Sequence, residues 1–209
     1  MVFAESDFAD PSDIGSVEAV KLLIAGGFGV GKTTLVTTVS EIAPLRTEER
    51  LSALGAAVDD LTGVETKTTT TVALDFGRIT LSPHLVLYLF GTPGQDRFWF
   101  MWKELSIGAL GAVVIADTRR LDDSFAAVDY FESRGIPFIV AVNCFDDADI
   151  YDEDEIRRAL DLSDDISIRL CDVRDRESAK QVLILLIEHL MTTVGATPAP
   201  GRSRPNTAR

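Results

Sequence analysis

The stretch from Val20 to Thr38, VKLLIAGGFGVGKTTLVTT, constrains this chain more than any other. Val20, Leu22, Leu23, Ile24 and Ala25 form a short apolar run that reads as a buried strand. The run breaks into Gly26-Gly27-Phe28-Gly29-Val30-Gly31-Lys32-Thr33, which matches G-x-x-x-x-G-K-[ST] without a gap. Leu35, Val36 and Val39 then recur at helical spacing. Strand, glycine-rich turn and helix in that order build a phosphate cradle. The glycines let the backbone N–H groups of Gly26, Phe28, Gly29, Val30 and Gly31 turn inward around an anion, because positive φ is cheap without a Cβ. Lys32, Thr33 and Thr34 open the helix, where unpaired N–H groups and the positive dipole end face the phosphates. Lys32 can neutralise β/γ-phosphate charge, and the Thr33 hydroxyl can ligate Mg²⁺.

The remainder of the chain has to supply one domain around that cradle. Its 209 residues suit a single α/β domain with modest tails. A formal net charge of −13 argues against a nucleic-acid backbone or an anionic membrane as the main partner. Two cysteines, Cys144 and Cys171, cannot form a disulfide framework and suit a reducing cytosol. No apolar stretch approaches a membrane span, and neither a signal layout nor a prenylation box is present. The expected location is cytoplasmic, with any membrane contact made peripherally through a partner.

Residues 1–17 read as a mobile acidic arm and 195–209 as a disordered Pro/Ala/Arg-rich tail, leaving 18–194 as the domain. Between Leu45 and Thr70 the pattern is mixed, with a helical turn or two plausible over Arg46 to Leu54. Val72 to Thr80 and His84 to Phe90 read as strands joined at Ser82-Pro83. Gly111–Ala116, Phe138–Val142 and Ile166–Leu170 complete a set of six with Val20–Ala25. Helices alternate with them: Leu121–Arg134, with Phe125, Val128 and Phe131 inward, then Asp152–Leu160 and Glu177–Val194. The alternation predicts a mainly parallel, six-stranded sheet with helices on both faces, a P-loop α/β fold.

Four further stretches occur in the order that a small GTPase requires. Thr71-Val72-Ala73-Leu74-Asp75-Phe76 resembles the switch I threonine and following strand of Rab/Ras-like GTPases. Gly91-Thr92-Pro93-Gly94-Gln95-Asp96-Arg97-Phe98 resembles their switch II motif, usually D-T-A-G-Q-E-R-F. Asn143-Cys144-Phe145-Asp146 resembles the guanine-reading N-K-x-D, and Cys171-Asp172-Val173 lies where the last base-contact loop belongs. The resemblance spans about residues 18–194 and is nearest to bacterial Ras-like switches, the gliding-motility polarity and actinobacterial conservon GTPases. It implies GTP/GDP and Mg²⁺ as ligands and slow hydrolysis that an activator accelerates. It also implies metal contacts from Thr33 and Thr71, catalytic roles for Lys32 and Gln95, and a phosphate-side contact from Gly94. Gln95 would orient the attacking water. In the base loop, a carboxylate at Asp146 can accept from guanine N1–H and the 2-amino group, donors that adenine lacks. Asn143 would tie the base loop to the phosphate loop.

Two departures from the family pattern carry consequences. Gly91 stands where an Asp usually holds Mg²⁺ through water, so the metal is expected to be held less firmly. Cys144 replaces the lysine whose stem lies against the base, so base binding is expected to be weaker or more permissive. These changes keep a non-hydrolysing pseudo-GTPase module open as an alternative, with an ATP-dependent phosphotransferase behind it. Oxidation of Cys144 and Cys171, in loops that approach the base, is a further way nucleotide affinity could change.

Phe98, Trp99, Phe100, Met101 and Trp102 are consecutive and large. Successive helical side chains point about 100° apart, so one helix cannot bury all five against one sheet. At least two should be exposed, beside a switch, as a partner surface formed by Phe98, Trp99, Phe100 and Trp102. By resemblance the partner is a roadblock/LC7-type regulator, in a pathway that could include a sensor kinase.

Overall fold

The computed structural model of the chain describes residues 17–43, 45–51, 70–94 and 99–195. All but Val17 of the expected arm at 1–17, all but Gly195 of the expected tail at 195–209, and Gln95–Phe98 lie outside them. The elements run β1 (Glu18–Ala25), α1 (Lys32–Val39), β2 (Leu45–Leu51), β3 (Thr70–Ser82), β4 (Leu85–Gly91) and α2 (Trp99–Ser106). They continue with β5 (Ala109–Ala116), a 3₁₀ segment (Thr118–Ser124), α3 (Phe125–Arg134), β6 (Phe138–Asn143), α4 (Glu153–Ala159), β7 (Ile168–Cys171) and α5 (Arg176–Gly195).

All strands join one sheet in the order β2-β3-β4-β1-β5-β6-β7. From β4 to β7 the neighbours are parallel, while β3 runs antiparallel to both β4 and β2. The α/β architecture expected from the sequence is therefore present, with its six strands as β1 and β3–β7. A seventh strand is added at the edge. Leu45–Leu51, for which the sequence suggested a helical turn, pairs in register with Thr70–Phe76. Its Arg-Thr-Glu-Glu-Arg centre has good helix formers and no apolar alternation, and pairing with a distant strand overrides that local preference. Charged residues on such an edge also discourage further strands from adding.

Central strands buried on both faces explain the continuous apolar runs. Leu22 and Ile24 of β1 join one core with Leu35, Val36 and Val39 of α1 and Val182, Leu186 and Leu190 of α5. Leu23 and Ala25 face the other side, with Trp102 of α2, Val128 and Phe131 of α3 and Ile156 of α4. Side-chain alternation along each strand thus feeds two helical layers. In α3 the buried stripe is Ala127, Val128, Tyr130 and Phe131, and Phe125, expected inward, is 37% exposed. The reason is local: Arg120, at φ −149° and ψ 56°, interrupts the helical path, so the α-helix begins only at Phe125, at the margin of that stripe.

Candidate nucleotide site

The phosphate loop leaves β1 at the carboxyl edge of the sheet, where β1 is flanked by β4 on one side and β5 on the other. Ligands of open α/β sheets bind at such a reversal of strand order. Gly31 caps α1 in the left-handed region at φ 112°. A Cβ there would lie 2.9 Å from both Asn143 Nδ2 and Val173 Cγ2, so glycine is required for conformation and for space. No side chain caps α1 and no acidic residue occupies its first turn, which leaves its amides for an anion. Phe28, Gly29, Gly31, Lys32, Thr33, Thr34, Asp75, Thr92, Pro93 and Gly94 line a cavity of about 410 Å³. Gly26 and Val30 contribute through their carbonyls, as described below.

Lys32 is buried, and its Nζ donates to the Gly26 carbonyl at 2.9 Å and the Gly27 carbonyl at 2.5 Å. Burial pushes its ammonium down to about 8, partly opposed by the nearby Asp75 carboxylate. A cation in this position, held by neutral carbonyls, is matched to incoming phosphate charge. Beside it Thr92 is buried, and its hydroxyl has no hydrogen-bond partner among the described residues. An unsatisfied hydroxyl in the cavity wall is what a phosphate or water ligand would satisfy.

Thr33 Oγ1 donates to Asp75 Oδ2 at 2.5 Å. Asp75 comes from β3 and is itself buried. A Cβ on Gly91 would come within 3.0 Å of the Asp75 Cβ and 3.1 Å of Oδ2. Gly91 thus leaves room for a carboxylate from the adjacent strand. Hydroxyl and carboxylate oxygens are the hard donors that Mg²⁺ prefers. Among the described residues no group of three acidic, His or Cys side chains could enclose a metal, so phosphates and water would have to complete its shell. Thr71 lies in β3, its backbone paired with that of Arg50. Four residues along a strand amount to about 13 Å, which separates its backbone from that of Asp75. Gln95 falls outside the described residues.

The base-side loops meet the phosphate loop through one residue. Asn143, buried at the end of β6, donates through Nδ2 to the Val30 carbonyl at 3.0 Å. Its Oδ1 accepts from the Val173 amide at 3.2 Å, and the Cys144 amide donates to the Cys171 carbonyl at 2.8 Å. Asn143, Asp146, Cys171, Asp172 and Val173 therefore stand together beside the phosphate loop. Asp146 is exposed, and Arg174 bridges it to Asp172. Hydrogen bonds from Arg174, and then its charge, hold both carboxyls below the usual carboxylate range. Cys171 is buried, and burial pushes its thiol up to about 12, disfavouring the thiolate.

Two arginines on the 3₁₀ segment complete the mouth of the site. Arg119 binds the fully buried Asp117 and the exposed Asp147, and lies 3.8 Å over the Phe145 ring. Arg120 donates to the Phe28 carbonyl at 2.9 Å. Asp75, Thr92, Arg120 and Arg174 were not singled out as site residues from the sequence. For Asp75 a signal existed, an acidic residue inside the otherwise apolar stretch Val72–Phe76. Of the aromatic run, Phe98 and the Trp99 side chain lie outside the described residues, Phe100 is 62% exposed and Met101 is half-buried. Trp102, expected on the partner surface, is instead 3% exposed, donating from Nε1 to the Pro93 carbonyl and packing against Tyr130 and Phe131. It anchors α2 to the start of the 92–94 loop and contributes no surface.

A protein-family model described as "Conserved hypothetical ATP binding protein" matches residues 24–193, most of the chain. The chain belongs to this family. It is 32% identical over 136 residues to the uncharacterized protein MJ1339 of Methanocaldococcus jannaschii, covering 64% of this chain and 75% of that protein. The fold resembles the G domain of the T. maritima FeoB iron transporter, with a TM-score of 0.58, 19% identity, and coverage of 82% of this chain and 99% of that one. The FeoB G domain from Methanococcus jannaschii superimposes with a TM-score of 0.55 at 11% identity, over 84% and 99% of the two chains. The cytosolic domain of T. maritima FeoB in a GDP form gives a TM-score of 0.60 at 18% identity, over 84% of this chain. This chain spans 65% of that longer one. Identities this low establish a P-loop, GTPase-like fold. Among the described residues no helix is long and apolar enough to cross a membrane.

Proposed function

We propose that this protein is a guanine-nucleotide switch that binds GTP and GDP and hydrolyses GTP slowly. The observation that carries the reading is the Asn143 side chain, which joins the Asp146 loop to Val30 of the phosphate loop. The same loop carries Asp146, a carboxylate able to accept from guanine N1–H and the 2-amino group, which supports the reading. The family description names ATP, but adenine has neither donor for Asp146. Neighbours solved in GDP forms favour the same base.

In the proposed reaction, water attacks the γ-phosphorus and GDP departs with the electrons of the broken bond. Lys32 and the loop amides hold the phosphates and offset the charge that develops on them. Bound Mg²⁺ would supply further charge neutralisation, and Thr33 and Asp75 are the residues positioned to hold it, directly or through water. Gln95 and Thr71 take their roles from the GTPase resemblance, Gln95 as the residue that orients water and Thr71 as a contact made when switch I closes. The exposure of Phe100 on α2 supports a partner contact there, and by the GTPase resemblance that partner is a roadblock/LC7-type regulator.

The test is competition of GDP and ADP for the site with Mg²⁺ present, followed by GTP turnover with and without a co-occurring roadblock-type protein. GDP-selective binding with stimulated turnover supports the switch. Selective binding with no turnover in any mixture points to a nucleotide-stabilised interaction module. Equal binding of ADP would overturn the role of Asp146.

A further inference from the structure

Arg174 makes more contacts at the base site than a solvated side chain needs. Its Nη2 donates to Asp146 Oδ1 at 2.9 Å and its Nη1 to Asp146 Oδ2 at 3.2 Å. Both carboxylate oxygens of Asp146 are therefore taken by one fork of two N–H donors. The neighbouring edge of the guanidinium, which shares Nη2, holds Asp172, with Nε donating to Oδ1 at 2.9 Å and Nη2 to Oδ2 at 2.8 Å. Asp172 also accepts from the Arg174 amide at 2.9 Å, which fixes the root of the side chain.

Guanine presents the same donor pattern to the same acceptor. Its N1–H and 2-amino group hang from one carbon, as two nitrogens of a guanidinium do, and point the same way toward a carboxylate. The two forks need the same pair of oxygens in the same plane. We propose that Arg174 is an internal competitor of guanine, a latch on Asp146 that sets nucleotide affinity and association rate. The proposal rests on the reading of Asp146 as the base-contacting carboxylate. Opening the latch is cheap because Nε and Nη2 keep Asp172 when Asp146 is released, so the guanidinium charge never stands alone. It is also bounded. The Arg174 and Asp146 side chains are 55% and 84% exposed, and exposed pairs are worth a factor of roughly two to five in an equilibrium constant.

The proposal is tested by measuring fluorescent GDP binding to wild type, Arg174→Ala, Asp146→Ala and the double variant, with thermal unfolding as a folding control. Arg174→Ala is expected to bind GDP about two- to fivefold more tightly, mainly through faster association, because the fraction of protein with Asp146 free rises. The gain should vanish in the Asp146→Ala background. It should also shrink at high ionic strength, where an exposed ion pair is screened. Inorganic pyrophosphate, which reaches only the phosphate loop, should bind wild type and Arg174→Ala equally. Equal or weaker GDP binding in Arg174→Ala, with Asp146→Ala still impaired, would overturn the latch and make Arg174 a positioning residue. Unchanged GDP binding in Asp146→Ala would instead overturn the guanine reading, and the latch with it. A pyrophosphate affinity that rises with the GDP affinity would reduce the effect to general electrostatics and also overturn the proposal.

Discussion

The Asp75 carboxylate occupies the space that Gly91 leaves open, and it does so while accepting a hydrogen bond from the phosphate-loop residue Thr33. The two residues lie on adjacent strands that pair antiparallel. A side chain at 91 would press on Asp75, and two carboxylates there would also repel each other. If this exchange is functional, Asp75→Ala should leave the fold intact but raise the Mg²⁺ concentration needed for tight GDP binding by tenfold or more. Gly91→Asp alone should impair binding, because its Cβ would press on Asp75. Combining Gly91→Asp with Asp75→Gly should recover Mg²⁺-dependent binding. Failure of the double variant to improve on Gly91→Asp would refute the exchange.

Lys32 makes nucleotide binding sensitive to alkaline pH. Its ammonium sits at about 8 because burial disfavours charge, and the unfolded chain restores the ordinary 10.5. Since the folded value is the lower one, the unfolded state binds more protons between those limits. The nucleotide-free protein should therefore gain stability as pH rises through this window. Binding should run the opposite way, because phosphate requires the charged form. GDP affinity should be flat up to about pH 8 and then fall by up to tenfold per unit, the limit for taking up one proton. Titrating fluorescent GDP from neutral to alkaline pH checks this, with Lys32→Met expected to bind weakly and to lack the bend.

Asn143→Ala should damage two properties together. It removes the donor to the Val30 carbonyl and the acceptor of the Val173 amide, both buried. Leaving such groups unsatisfied costs about 1–3 kcal/mol each. Lower thermal stability should accompany weaker GDP binding, since phosphate and base loops lose their common brace. A variant that loses affinity with an unchanged melting temperature would show that Asn143 touches ligand and braces nothing.

What the sequence disclosed followed from local signals. The phosphate loop was legible because glycine spacing, Lys32 and Thr33 lie within one segment between a strand and a helix. The parallel strands were legible because burial on both faces leaves unbroken apolar runs such as Ala112–Ala116. What escaped depends on contacts between distant segments. Strand β2 exists through its pairing with β3, not through its own residues. Asp75 acquires its place only when β3 lies against Gly91, and Arg174 acquires its partner only when β7 brings its loop beside β6. Helical geometry required that some of the aromatic run be exposed, but which members depends on where α2 meets α3.

That division of the aromatic run yields a paired prediction. Trp102 is buried against Tyr130 and Phe131 and holds the Pro93 carbonyl, whereas Phe100 faces solvent on the same helix. Trp102→Ala should cost about 3–5 kcal/mol of stability, the usual loss for a large aromatic removed from a core. Phe100→Glu should change stability by no more than about 0.5 kcal/mol, as surface substitutions do. Nucleotide binding should survive Phe100→Glu, because the side chain does not line the cavity. Stimulation of GTP turnover by a roadblock-type protein should be lost in that variant, since a charge would be buried where an aromatic anchor is required. Unfolding curves and turnover assays on the two proteins separate the roles. Full stimulation of Phe100→Glu would move the partner to another face.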